Sequence, residues 1–253
     1  MIGTVMGIGF ATKNAARQCA WDRLSAAGAA REPLPPHGRI PNFAGARTAA
    51  VRLFLEEPWS RARTLKVNPD APQRAVRLLA LLRGTRVYVP TPRLAGGFWL
   101  LDPARIPPER YGEAATRATQ ARWAEPVALE ALPRFDAIVT GCAAVTATGK
   151  RCGKGAGYSD LEYALLRELG HDPVPVATTV HDLQVVDDFP IEAIDQPLAI
   201  VCTPTRVLRI DTPCAPPAGI DWSRLDATDL SAMPILAELR ARRRSSSTIE
   251  ESS

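Results

Sequence analysis

The segment Gly149-Lys150-Arg151-Cys152-Gly153-Lys154-Gly155-Ala156-Gly157-Tyr158-Ser159-Asp160 gathers the residue types that hold phosphate. It contains four glycines and three cationic side chains, and it leads into a stretch with helical spacing. Glycine lets a backbone pass through positive φ and lie close against a ligand. A helix N-terminus adds unpaired N–H groups and partial positive charge. Loop, helix start and basic side chains together point to a nucleotide or another phosphoryl ligand. The spacing matches neither the Walker A pattern nor the GxGxxG dinucleotide fingerprint. A second reading stands beside the first: Ser159-Asp160-Leu161-Glu162 has the form of a capping box, which accounts for Ser159 and Glu162 without any ligand. Asp160 also suits a helix's first turn.

The elements around this loop alternate. Helical spacing marks Lys13 to Ala27, Gly45 to Glu57, Pro72 to Arg83 and Leu161 to Leu169. Short apolar runs mark strands at Thr64 to Val67, Arg86 to Val89, Val174 to Val180, Leu198 to Cys202 and Arg206 to Ile210. Phe135 to Val145 reads as one buried strand bending at Gly141. Alternation of this kind predicts βαβ units and a largely parallel sheet covered on both faces. Residues 1–239 are expected to form one α/β domain. From Arg240 onward the arginine- and serine-rich composition suggests a disordered tail over 240–253.

With 253 residues, 46% of them hydrophobic and 23% charged, the chain has material for a sizeable core. Its net charge of +4 suits a small anionic ligand and falls short of a nucleic-acid footprint. No apolar run approaches the ~18 residues of a membrane span. Met1 to Phe10 lacks the basic flank and cleavage site of a secretory leader. Five scattered cysteines, never spaced as CxxC, fit reduced thiols in a cytoplasm rather than a disulfide framework or zinc site. Cys152, inside the loop, is read as a small packing residue.

The loop resembles the signature of the 5-formyltetrahydrofolate cyclo-ligase family, roughly Gly-x-Arg-Leu-Gly-x-Gly-Gly-Gly-Tyr-Tyr-Asp. Lys13-x-x-x-Arg17 is similar to the family's N-terminal Lys-x-x-x-Arg. Val87-Tyr88-Val89-Pro90, His181-Asp182 and Thr203-Pro204 resemble later family segments, so the likeness spans about Lys13 to Leu208. A divergent synthetase domain-containing branch is closer still. It shares Arg39-Ile-Pro-Asn-Phe43, Lys66-Val-Asn-Pro-Asp70, Val89-Pro-Thr-Pro-Arg-Leu94 and Thr203-Pro-Thr-Arg-Val207.

The resemblance implies a three-layer α/β/α sandwich and ATP- and Mg²⁺-dependent cyclisation of 5-formyltetrahydrofolate to 5,10-methenyltetrahydrofolate. It casts Lys13, Arg151 and Lys154 as the catalytic cations, since phosphoryl transfer asks for positioning and positive charge. ATP would meet Lys13, Arg17, Arg151, Gly153, Lys154, Gly155, Gly157, Tyr158 and Asp160, with Asp160 as the metal ligand. A folate-like substrate would meet Asp70, Arg93 and Tyr158; Tyr158 as a core aromatic is the alternative. Arg93 and Arg206 follow apolar strands, where ligands of open parallel sheets gather, although the neighbouring prolines also serve simply to end strands. Three departures accompany the match: Val145-Thr146 replaces Phe-Asp, Ser159 replaces the second tyrosine, and Leu161 replaces an arginine. Asp70 stands near the place of a folate-contacting glutamate. An ATP-using relative with another small substrate, for example in vitamin salvage, and a non-catalytic or RNA-associated protein are the remaining readings.

Overall fold

The computed structural model describes residues 9–250. The apolar start, residues 1–8, and the last residues of the tail, 251–253, lie outside the described residues. The elements follow in the order α1 Lys13–Ala26, β1 Ala30–Arg31, β2 Asn42–Phe43, α2 Ala46–Leu53, β3 Thr64–Val67, α3 Arg74–Leu82, β4 Arg86–Pro90 and β5 Phe98–Leu101. Next come α4 Tyr111–Ala114, β6 Glu125–Val127, β7 Ala137–Thr140, β8 Ala144–Val145, β9 Arg151–Cys152 and α5 Tyr158–Glu168. The chain closes with β10 Val176–Thr179, β11 Ile200–Cys202, β12 Val207–Arg209, α6 Ala227–Ala232 and α7 Pro234–Glu250.

Eight strands form one sheet in the order β12-β11-β10-β7-β3-β4-β5-β6. Its interior is parallel, from β11 through β10, β7 and β3 to β4. β12 on one side and β5 and β6 on the other run antiparallel to their neighbours. Every residue of β3, β7 and β10 is buried, as strands covered on both faces require. The pleat then sorts side chains between two cores. Val87 and Val89 join Leu53, Trp59 and Val76 beneath α2 and α3, while Tyr88 and Ile138 join Leu165 and Leu236 beneath α5 and α7. The architecture is the three-layer α/β/α sandwich with a largely parallel sheet. No helix among the described residues is long and apolar enough to cross a membrane.

Four features depart from or add to the sequence patterns. The 135–145 run is two strands, because the chain leaves the sheet after Thr140 and re-pairs as the β8–β9 ribbon. Gly141 sits at that exit, and a Cβ there would lie 2.8 Å from Asp70 Oδ2 and 2.9 Å from Ile40 Cγ2. The second helix stops at Leu53 rather than Glu57, since Pro58 cannot donate to a continuing helix. β5 and β6 lie in a stretch to which the sequence patterns assign no element. Finally, α7 covers most of the segment whose composition suggests a disordered tail, consistent with arginine's good helix propensity.

Candidate functional site

Ligands of open parallel sheets collect outside the carboxyl ends of the strands. A cleft of about 790 Å³ opens there, at the ends of β3 and β4 and against the loop before α5. Asn68 and Asp70 leave β3, Thr91 and Pro92 leave β4, and the glycine loop closes the opposite wall.

The loop is shaped by its covalent constraints. β9 holds Arg151 and Cys152 against β8. The chain then passes Gly155 at φ +116° and Gly157 at φ +70°, conformations that L side chains rarely adopt. Gly157 caps α5 from the left-handed region, and no side chain caps the helix start. The capping-box reading of Ser159 and Glu162 therefore fails. Both side chains are drawn into a different network.

That network starts under the helix. Lys66 is fully buried in β3 and pairs with the Glu162 carboxylate, with its Nζ also 2.7 Å from Asn68 Oδ1. Asn68 Nδ2 donates in turn to Ser159 Oγ at 2.8 Å. Burial pushes the Glu162 carboxyl above its ordinary range, and Lys66 opposes that shift. A buried charge needs a partner; here β3 and α5 supply one to each other.

On the loop wall, Arg151 is buried and its Nη2 donates to Asp160 Oδ1. Burial works against the guanidinium charge, but the adjoining Asp160 carboxylate outweighs it and holds the group above its usual range. Asp160 Oδ1 also accepts from the Gln196 amide at 2.9 Å, which leaves Oδ2 outside these bonds. Lys13, on the first turn of α1, lies 2.6 Å from Asp195 Oδ2 and 3.6 Å from Glu192 Oε1. Thr12 sets that helix start by accepting from the Ala15 amide. Arg17, one turn on, donates to the Gly153 carbonyl at 3.2 Å and approaches Gly155. Lys154 is exposed at the cleft and makes no hydrogen bond or ion pair among the described residues.

The cleft thus brings together Lys13, Arg17, Arg151, Gly153, Lys154, Gly155, Gly157, Tyr158, Asp160 and Asp70. Tyr158 lines the cleft and also packs against the core beneath α5. Burial raises the Asp70 carboxyl above its ordinary value, against the pull of Lys154, Arg77, Arg117 and Lys66. Arg93 lies in the tight turn Pro92–Leu94, with its side chain outside those described. Arg206 does not line the cleft; its Nε lies 3.6 Å from Asp182 Oδ1 in the turn between β11 and β12. Asp182 also accepts from Thr203 and Thr205, and His181 Nδ1 accepts from the Leu183 amide. The His-Asp pair pins two turns together, outside the cleft. Cys152 is buried, and burial pushes its thiol up, away from reactive thiolate.

Sequence reasoning quoted Lys66 and Asn68 within a shared motif without giving them a role and missed Arg117, Glu192, Asp195 and Arg224, although Lys66 carried a usable signal. A lysine in the middle of a fully buried strand demands a carboxylate opposite it. Asp195 offered none, because its partner Lys13 is 182 residues away.

An α/β sandwich with a cation-lined cleft at its strand ends defines the class. Residues 11–204 match the 5-formyltetrahydrofolate cyclo-ligase family, and the chain belongs to that family. It is similar to the methenyltetrahydrofolate synthase domain-containing proteins of Mus musculus and Homo sapiens. Identity is 41% over 239 residues for the first and 35% over 237 for the second, each alignment covering 91% of this chain. The chain spans 64% and 62% of the length of these relatives. The solved structure of Aquifex aeolicus 5,10-methenyltetrahydrofolate synthetase superposes with a TM-score of 0.50 at 17% identity, covering 80% of this chain and 95% of that one. At that identity the likeness concerns the fold.

Proposed function

We propose that the protein is a ligase that uses ATP and Mg²⁺ to close 5-formyltetrahydrofolate into 5,10-methenyltetrahydrofolate. The observation that carries this reading is the convergence of α1 and the glycine loop on one cleft, with Lys13, Arg17, Arg151 and Lys154 directed at the same space. The formyl oxygen attacks the γ-phosphorus and ADP departs. The neighbouring amine then adds to the activated carbon and loses its proton, and inorganic phosphate leaves with the oxygen. Such chemistry draws on positioning and cations more than on protein nucleophiles. Lys13 exchanges Asp195 and Glu192 for phosphate oxygens, and Lys154 closes from the loop. Arg151, fixed by Asp160, keeps the charge of the loop wall in place.

Mg²⁺ takes octahedral oxygen ligands, commonly one or two carboxylates plus substrate phosphates. No group of three or more metal-ligating side chains gathers among the described residues. The donor set suits an ion carried in on the nucleotide, with Asp160 as the chain's contribution. Bound there, Mg²⁺ would neutralise phosphate charge. Free thiols at all five cysteines favour a reducing compartment, the cytoplasm.

The test is direct: purified protein with ATP, Mg²⁺ and 5-formyltetrahydrofolate should build up the methenyl absorbance. A protein that binds ATP and shows no rise overturns the reaction. The departures from the family signature at Ser159 and Leu161 favour one second reading, an ATP-dependent enzyme with a different small substrate. Substrate-dependent ADP release across a metabolite panel separates the two.

A further inference from the structure

Ser159 has a hydrogen-bonding direction imposed from below. A lysine ammonium carries three donors and no acceptor. Lys66 Nζ therefore donates both to Glu162 and to Asn68 Oδ1, the latter at 2.7 Å. This contact settles the Asn68 amide: its oxygen faces Lys66 and its NH₂ faces Ser159. The NH₂ donates to Ser159 Oγ at 2.8 Å and has no lone pair with which to accept in return. Lys66 and Asn68 are 0% and 3% exposed, so water does not interrupt the sequence of donors. The single hydroxyl hydrogen of Ser159 must point elsewhere. It finds no acceptor among the described residues, and Ser159 lines the cleft.

We propose that Ser159 keeps its hydroxyl hydrogen free for a ligand in the cleft, a specificity residue that favours a ligand presenting a carbonyl-type oxygen at that point. The inference rests on the ligase reading above and deepens it by assigning the acceptor oxygen of the second substrate to a named group. Phosphate is the poorer occupant of this corner, because Asp70 leaves the same strand end as Asn68. The phosphate-binding cations lie instead along the loop and α1. A ligand that places a group without a lone pair there, an ammonium or an amide N–H, leaves the Ser159 O–H unpaired. Such a ligand binds about tenfold more weakly.

Two substitutions test the direction rather than the mere presence of the hydroxyl. Ser159→Ala removes the donor. Asn68→Asp keeps the hydroxyl but turns it inward, because a carboxylate accepts from Lys66 and Ser159 together. Binding of 5-formyltetrahydrofolate is titrated in the presence of a non-hydrolysable ATP analogue, and the analogue is titrated alone as a control. Each variant should weaken 5-formyltetrahydrofolate about tenfold while analogue affinity stays within about twofold. The double variant should be no weaker than either single one. Wild-type affinity in either variant, equal losses for both ligands, or losses that multiply in the double variant would overturn the inference alone. A wild-type protein that binds the analogue but no 5-formyltetrahydrofolate overturns the ligase reading and this inference with it.

Discussion

On the loop wall of the cleft the charges are partly exposed and exchangeable, whereas on the strand wall they are buried and committed. Lys13 and its partner Asp195 are 23% and 9% exposed, and Lys154 stands open beside them. Lys66 and Glu162 are 1% and 6% exposed and satisfy each other. A carboxylate at the mouth of a cleft holds a lysine until a stronger anion arrives. A carboxylate in the core cannot let go without leaving a bare charge. The same two residue types thus line an open cleft on one side and brace the core on the other, and depth decides which. Arg151 is the intermediate case, a buried cation whose carboxylate partner lines the cleft.

The largest effect should follow from breaking the buried pair. Lys66→Met leaves Glu162 uncompensated and should cost about 3–5 kcal/mol, read from the urea midpoint. Lys66→Met with Glu162→Leu should restore most of that loss. An unchanged midpoint in the single variant would erase the contrast between the walls.

Next come the loop cations. Arg151→Ala should weaken an ATP analogue about tenfold to a hundredfold, the range for hydrogen bonds to charged groups. The loss should persist in high salt, since Arg151 is buried. Lys154→Ala should cost about threefold and fade as salt rises, because exposed charges are screened. Identical salt profiles in titrations of the two variants would contradict the assignment of depth.

The smallest effect concerns Asp70. Its carboxyl is held above its ordinary value by burial, so the folded chain keeps its proton to higher pH than the unfolded chain does. Stability accordingly falls as pH rises between the unfolded and folded values. Asp70→Asn should make the ligand-free protein more stable than wild type at neutral pH. The gap should close in acid, where Asp70 is protonated in both states. Melting temperatures across pH supply the check, and a gap that widens in acid would reverse the sign.

The parallel centre of the sheet was legible from sequence, because β3, β4, β10 and β11 are apolar runs between helical patterns. β6 was not: Pro126 interrupts it, and only its position at the sheet edge tolerates the missing donor. The loop cations were legible from types and spacing. The carboxylates that hold Lys13 on α1 were not, since Asp195 and Glu192 lie in a turn with no local pattern. Ser159 and Glu162 show the opposite error, a local pattern that fits a cap and is overridden by Lys66 from another strand. Local rules describe what a segment does alone, and a site at strand ends is assembled from segments that meet only in the fold.

The ion pair between Lys13 and Asp195 joins positions 182 residues apart. During synthesis, α1 leaves the ribosome long before the turn that will hold its lysine. Closing so long a loop is entropically costly and is deferred until later contacts reward it. Until Asp195 has emerged, Lys13 has no carboxylate to hold it at the cleft, and a nascent chain arrested earlier should bind nucleotide poorly. On the proposed reading, competence of the cleft therefore waits on the emergence of Asp195.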